Sequence, residues 1–220
     1  MQYHIVKYSG PFGFIKPWTA VRDGETFSQQ FLTPSIIEGM EKKLFPELLA
    51  AKGLQGYIVG HRINYTGISR QQEQTWSKAW IEKKGEPIIE QRLVHKKGKE
   101  EYKQVTIPTV TRRPATGILT RGILIEPNLY LAFFTQELAA KAAVQHLCLC
   151  RNEDILLPDE TYEATLQEWN SDSFPGFELL FGNMEEPAFK VGYNRFDNAI
   201  PMYGKVISFG DPIRKRTDYL

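Results

Sequence analysis

The chain has 220 residues, 42% of them hydrophobic and 24% charged, with a formal net charge of +1. That balance excludes disorder and fits one large domain, or a domain with a substantial appendage. No apolar run approaches the roughly 18 residues of a membrane span, and the first residues lack a secretory leader's apolar core and cleavage site. A soluble, cytoplasmic protein without membrane contact is expected. The two cysteines, Cys148 and Cys150, stand one residue apart. That spacing is poor for a disulfide and too few thiols for a zinc site, which fits a reducing compartment.

In chain order, residues 2–9 (QYHIVKYS) alternate as a strand and stop at Gly10-Pro11. A loop rich in aromatic residues, glycine and proline follows. Thr33 then offers a cap, Pro34 suits a first helical position, and Ile36, Ile37, Met40 and Leu44 recur at helical spacing. Gly39 inside this helix implies close approach to a neighbouring backbone. Residues 56–67 read as a second strand. Residues 68–117 are polar, charged and weakly periodic, and read as a protruding insertion with a hairpin turning at Lys97-Gly98-Lys99. The run 118–134 is the most strand-like, with a turn at Glu126-Pro127-Asn128. Thr135 caps an amphipathic helix, and LCLCR gives a short strand.

Without the insertion the order is strand, helix, strand, strand, helix, strand. This predicts an α+β, ferredoxin-like (RRM-like) domain over 1–150 carrying a basic β-hairpin insertion at about 68–117. Residues 151–220 read as a small β-rich C-terminal part packed on it, its short strands FELLF, FKVGYNRF and YGKVISFG separated by Gly and Pro.

Charge is unevenly placed. Arg92, Lys96, Lys97, Lys99, Lys103, Arg112, Arg113 and Arg121 face only Glu100 and Glu101 within thirty residues. A basic segment on a near-neutral chain is the footprint of phosphate binding. At the N-terminus of the first helix, backbone N–H groups and the Ser35 hydroxyl form a second candidate anion site. Lys16, Trp18 and Arg22 in the preceding loop offer charge and a stacking face.

Catalytic signals are absent. None of the four histidines pairs at metal-ligand spacing, and no phosphate loop, dinucleotide fingerprint or nucleophile elbow occurs. His4, His61 and His146 read as packing residues. His95 beside Lys96 and Lys97, with Tyr102 nearby, is the one ambiguous group, since such a trio could cleave RNA without metal. A basic hairpin that only grips phosphate is the simpler reading, and neither cofactor nor metal is expected.

The segments IVKYSGPFGFIKPWT and FLTPSIIEGMEKKLF resemble the N-terminus of the Cas-five family of CRISPR-associated proteins. The residues that carry this are Gly10-Pro11-Phe12, Phe14, Lys16-Pro17-Trp18, Thr33-Pro34-Ser35 and Gly39, with TRGILIEPNLYLAFF similar to the family's later strand pair. HRINYTGISRQQEQT stands where the family has a strand leading into an arginine-bearing loop. The resemblance covers residues 3–45 and, less fully, 118–147; the family's glycine-rich loop near the C-terminus is not found.

The resemblance implies a non-catalytic, RNA-binding subunit of a Cascade-type surveillance complex. It would hold the 5′ handle of the CRISPR RNA, contact the large and backbone subunits, and meet target DNA only indirectly. In that picture Lys96, Lys97, Arg112 and Arg113 neutralise phosphates, Arg92, His95 and Arg121 belong to the same RNA-binding set, Arg70 and Gln71 touch backbone or base edges, and Trp18 or Phe14 stacks. The alternatives are a metal-independent endoribonuclease that processes the precursor RNA, a Cas-five-like subunit of a type IV complex, and a protein-interaction domain whose basic segment meets an acidic partner.

Overall fold

The computed structural model describes residues 1–17, 24–96, 99–181, 188–194, 198 and 200–215, with backbone alone for 75–82, 96, 99, 111–116, 181, 191, 192 and 194. Two compact units emerge, one of residues 1–71 with 120–220 and one of residues 72–119.

The elements in chain order are β1 (Gln2–Ser9), β2 (Phe12–Gly13), β3 (Glu25–Phe27), α1 (Pro34–Leu44), a 3-10 turn (Pro46–Leu48), β4 (Gly60–Asn64), β5 (Gly67–Lys84), β6 (Ile88–Lys96), β7 (Lys99–Ile107), β8 (Val110–Ile125) and β9 (Asn128–Phe133). They continue with α2 (Gln136–Ala142), β10 (Leu147–Cys148), β11 (Ile155–Thr165), α3 (Leu166–Trp169), β12 (Gly176–Phe181), β13 (Phe189–Asn194) and β14 (Ile200–Phe209).

The first unit is built on one eight-stranded sheet of order β10-β11-β1-β9-β4-β12-β14-β13, antiparallel at every described pairing. This corrects the α+β, ferredoxin-like expectation: the described chain is mostly strand, and a large antiparallel sheet organises it. The helices are crossovers. α1 joins β1 to β4 with β9 between them, and α2 leads from β9 toward β11 with β1 between. Periodicity gives the order of elements but not which later strands add to an existing edge. Here FELLF, FKVGYN and YGKVISF extend the same sheet within β12, β13 and β14. A second sheet, β2-β8-β3 with β5 on β8, draws strands out of the segment read as loop and insertion.

The sheet is buried on both faces near its middle, which is why β9 (NLYLAF) is apolar almost throughout rather than alternating. Leu129, Leu131 and Phe133 meet α1 and α2 through Ile37, Met40, Leu44, Ala139 and Ala142. Tyr130 and Ala132 face the other way, against Tyr3, Ile5, Trp169 and Phe174. A reciprocal cap between Thr165 and Glu168 starts the one-turn α3 and sets the Trp169 ring on that second face. Each large side chain so buried contributes about 1.5–3 kcal/mol. The Tyr8 hydroxyl donates to the Ala142 carbonyl (2.7 Å), tying β1 to the end of α2, and its burial raises the phenol's pKa.

Gly39 does not approach a neighbouring backbone: a Cβ there would meet nothing within 4 Å. With open space and helical dihedrals, Gly39→Ala is expected to stabilise the protein by about 0.5–1 kcal/mol, read as a rise in the thermal midpoint. Among the described residues no helix is long and apolar enough to cross a membrane.

Candidate nucleic-acid interface

The second unit contains the β6–β7 hairpin, paired from Ile88↔Ile107 to Lys96↔Lys99 around Lys97 and Gly98, which lie outside the described residues. Directly opposed residues share a face, so register sorts the hairpin into two rows. One row holds Ile88/Ile107, Glu90/Val105, Arg92/Lys103 and Val94/Glu101, and the same parity continues to Lys96/Lys99. The other holds Ile89/Thr106, Gln91/Gln104, Leu93/Tyr102 and His95/Glu100.

The first row therefore sets cation opposite cation at Arg92/Lys103, and the backbone register continues to Lys96/Lys99. Like charges directly opposed oppose the pairing by about 0.2–1 kcal/mol. Glu90 pairs with Arg92 at 3.4 Å, both side chains half exposed or more, an ion pair that contributes about 0–1 kcal/mol, and Glu101 stands diagonally on the same row. The second row is apolar and aromatic at its centre. Ile89 and Leu93 are exposed, and Tyr102 is 73% exposed. A phosphate chain would relieve the first row, and a base could lie against the second.

The remaining expected contacts divide between the units. Arg92, His95, Lys96, Arg112 and Arg113 belong to the second, the last two on β8 and described by backbone alone. Lys16, Ser35, Arg70, Gln71 and Arg121 belong to the first. Trp18, Arg22 and Lys97 lie outside the described residues.

Lys16 and Gln71 are exposed. Arg70 lies on β5, not in a loop. It pairs with Glu25 at 3.0 Å and sits 5.7 Å from the Phe27 ring centroid. That ring lies where a Cβ on Gly122 would be, so Gly122 makes its room. Arg121 is half-buried, its guanidinium 5.2 Å from the Phe14 ring, with Arg151 at 5.7 Å. Phe14 itself is 2% exposed and offers no face to a base, which corrects its expected stacking role.

The α1 N-terminus is a poorer anion cradle than its sequence implied. Pro34 has no N–H, and the Ile36 and Ile37 amides both donate to the Thr33 carbonyl. That leaves the Ser35 amide and hydroxyl, the latter 3.1 Å from the Thr33 hydroxyl. Ser35 edges an open groove of about 460 Å³ with Gly39, Lys43, His146 and Cys148.

The possible nuclease trio is split by register. His95 and Tyr102 share a row, whereas Lys96 belongs to the other. His95 also pairs with Glu100 at 3.0 Å. Among the described residues no group of three His, Cys, Asp or Glu side chains gathers as a metal site. Lys103 was countable in the sequence as one of the basic residues, but its place across from Arg92 needs the register.

No protein-family model matches the chain, and no curated protein matches it. The quoted motifs alone carry the Cas-five resemblance.

Proposed function

We propose that the protein is a non-catalytic RNA-binding subunit of a cytoplasmic ribonucleoprotein of the CRISPR surveillance kind, with the β6–β7 hairpin gripping the RNA backbone. The observation that carries the binding reading is the cross-strand pairing of Arg92 with Lys103, continued by Lys96 with Lys99. A hairpin that opposes its own cations is adapted to an anion lying along that row, since counter-charge supplied by phosphate turns repulsion into binding. The split of His95 and Tyr102 from Lys96 favours gripping over cutting, because metal-free cleavage needs base and cation at one phosphate. The N-terminal motifs are what point from RNA in general to a CRISPR RNA and its 5′ handle, with the large and backbone subunits as partners.

Lys103→Glu tests the hairpin because stability and binding should move in opposite directions. An opposite charge across from Arg92 should stabilise the pairing by about 0.2–1 kcal/mol. RNA affinity should fall severalfold or more, with the salt slope lower by about one. Filter binding of the full chain across a salt series, beside a thermal melt, reads both. Unchanged RNA affinity and slope would remove the hairpin from the interface. Expression with genomic neighbours should recover an RNA of constant 5′ end; recovery of protein without RNA would sink the CRISPR reading.

A further inference from the structure

The far edge of the eight-stranded sheet carries a second arrangement of aromatic and basic side chains. In β13 the register against β14 shifts between Lys190 and Gly192: Lys190↔Tyr203, then Gly192↔Met202 and Tyr193↔Pro201. One extra residue in β13 reverses the alternation. Lys190 and Tyr193, three apart, consequently share a face with Tyr203, where an unbroken strand would set Tyr193 on the opposite side. The Lys190 ammonium donates to the Tyr193 hydroxyl (2.6 Å) and lies 4.4 Å from that ring's centroid. Tyr193 is 52% and Tyr203 43% exposed. Lys205 follows Tyr203 on the same face, and the described β13–β14 pairings bring no carboxylate opposite these residues.

This face is not part of the core. Among the described residues neither Tyr193 nor Tyr203 belongs to either core cluster, and β14 meets the Arg62 guanidinium at its far end, through Phe209. Two phenol rings and a lysine on an open sheet face have the ingredients of a single-strand platform: π-faces for bases, and a cation for the phosphate between them. An ammonium has three N–H donors, so Lys190 keeps two beyond the one given to Tyr193. Its hydrogen bond to Tyr193, then the two phenols' electrostatic influence, hold its pKa above the ordinary lysine value.

We propose that Tyr193, Lys190 and Tyr203 form a base-stacking contact for single-stranded RNA, separate from the hairpin. The proposal rests on the nucleic-acid reading above and gives it a sequence-tolerant site on a different element. Stacking rather than phosphate attraction would supply most of its affinity.

The test is fluorescence anisotropy of the intact chain with a labelled oligouridine, comparing Tyr193→Ala, Tyr203→Ala, their Phe counterparts and Lys190→Gln, each confirmed folded by circular dichroism. Each alanine is expected to weaken binding about 5- to 100-fold with an unchanged salt slope. Each phenylalanine should stay within about twofold, because the π-face remains. Lys190→Gln should lower the slope by about one. A photocrosslink from 4-thiouridine RNA should fall on the peptide bearing Tyr193 or Tyr203. Alanines that leave affinity unchanged while Lys103→Glu weakens it would overturn the platform and keep the hairpin. Alanines that weaken binding while Lys103→Glu does not would keep the platform and remove the hairpin. No binding by the unaltered chain, or loss of a protein partner with RNA affinity intact, would overturn the platform.

Discussion

Glu178→Ala is expected to lower folding stability by about 3–5 kcal/mol, because it strands a guanidinium inside the protein. Arg62 on β4 is fully buried, and its Nε donates to the Glu178 carboxylate on β12 at 2.9 Å. The other guanidinium nitrogens donate to the carbonyls of Trp169 and Phe174 and to the Asn170 side chain. The Trp169 and Phe209 rings lie at 4.2 and 3.4 Å from the guanidinium. Burial disfavours charge on both partners, lowering the Arg62 pKa and raising that of Glu178, while their mutual hydrogen bond and attraction oppose it. Removing Glu178 leaves a fully buried cation with neutral acceptors alone.

The pair matters because of where it sits. The described ladder between β4 and β12 has a single register pair, Ile63↔Phe177, whereas β12 and β14 pair over six positions. Side chains therefore reinforce the joint between β10-β11-β1-β9-β4 and β12-β14-β13, beside a backbone bridge of Tyr65 to Pro212 and Arg214. Arg62–Glu178 spans it, Glu178 also accepts the His61 backbone N–H, and the Asn64 amide donates to the Pro175 carbonyl. Glycine at 176 permits the approach, since a Cβ there would lie 2.9 Å from the Arg62 Cβ. Urea unfolding measures the loss, and hydrogen exchange should rise first in β12 and β14. The double change Arg62→Met with Glu178→Leu should recover most of the stability, because a packed apolar pair carries no stranded charge. A cost below about 1 kcal/mol for Glu178→Ala would mean that water reaches the guanidinium.

What the sequence disclosed was local. The Pro34 start of α1, the apolar run of β9 and the turn before Asn128, where Glu126 takes φ 47°, are written in periodicity and turn chemistry. What it concealed was pairing. β11 is not among the short strands expected after residue 150; in the structure its Pro158 pairs with Tyr8 beside a bulge, where a strand tolerates the missing N–H. The run around the Glu126 turn resembled a strand pair, yet β8 and β9 belong to different sheets. Arg62 looked like any strand arginine, since burial depends on a carboxylate 116 residues away. The same holds for the candidate sites. Basic composition marked the hairpin, but only register set Arg92 against Lys103, and only a bulge brought Tyr193 to the face of Lys190 and Tyr203.

Acidification from about pH 6.5 to pH 4 is expected to cost the protein about 3 kcal/mol through His61 alone. His61 pairs with Leu131 in the centre of the sheet, and its Nδ1 is buried without a hydrogen-bond partner. Burial first, then the neighbouring Arg62 charge, pushes its pKa from 6.5 down to about 4. The unfolded chain takes up a proton near pH 6.5 while the folded chain refuses it until about pH 4. Protons therefore favour unfolding throughout that window, and the stability present above it is lost as pH falls. Glu178 acts with the opposite sign, because its raised pKa favours the folded chain on acidification. The informative quantity is thus the difference between the unaltered protein and His61→Leu, measured as urea midpoints at pH 7, 5.5 and 4.5. The leucine variant should lack the His61 part of the slope, and at pH 7 it should be no less stable, since an unpartnered buried nitrogen has been removed. Parallel pH profiles would show that the imidazole titrates in the folded protein as it does in water, and that the middle of this sheet is wet.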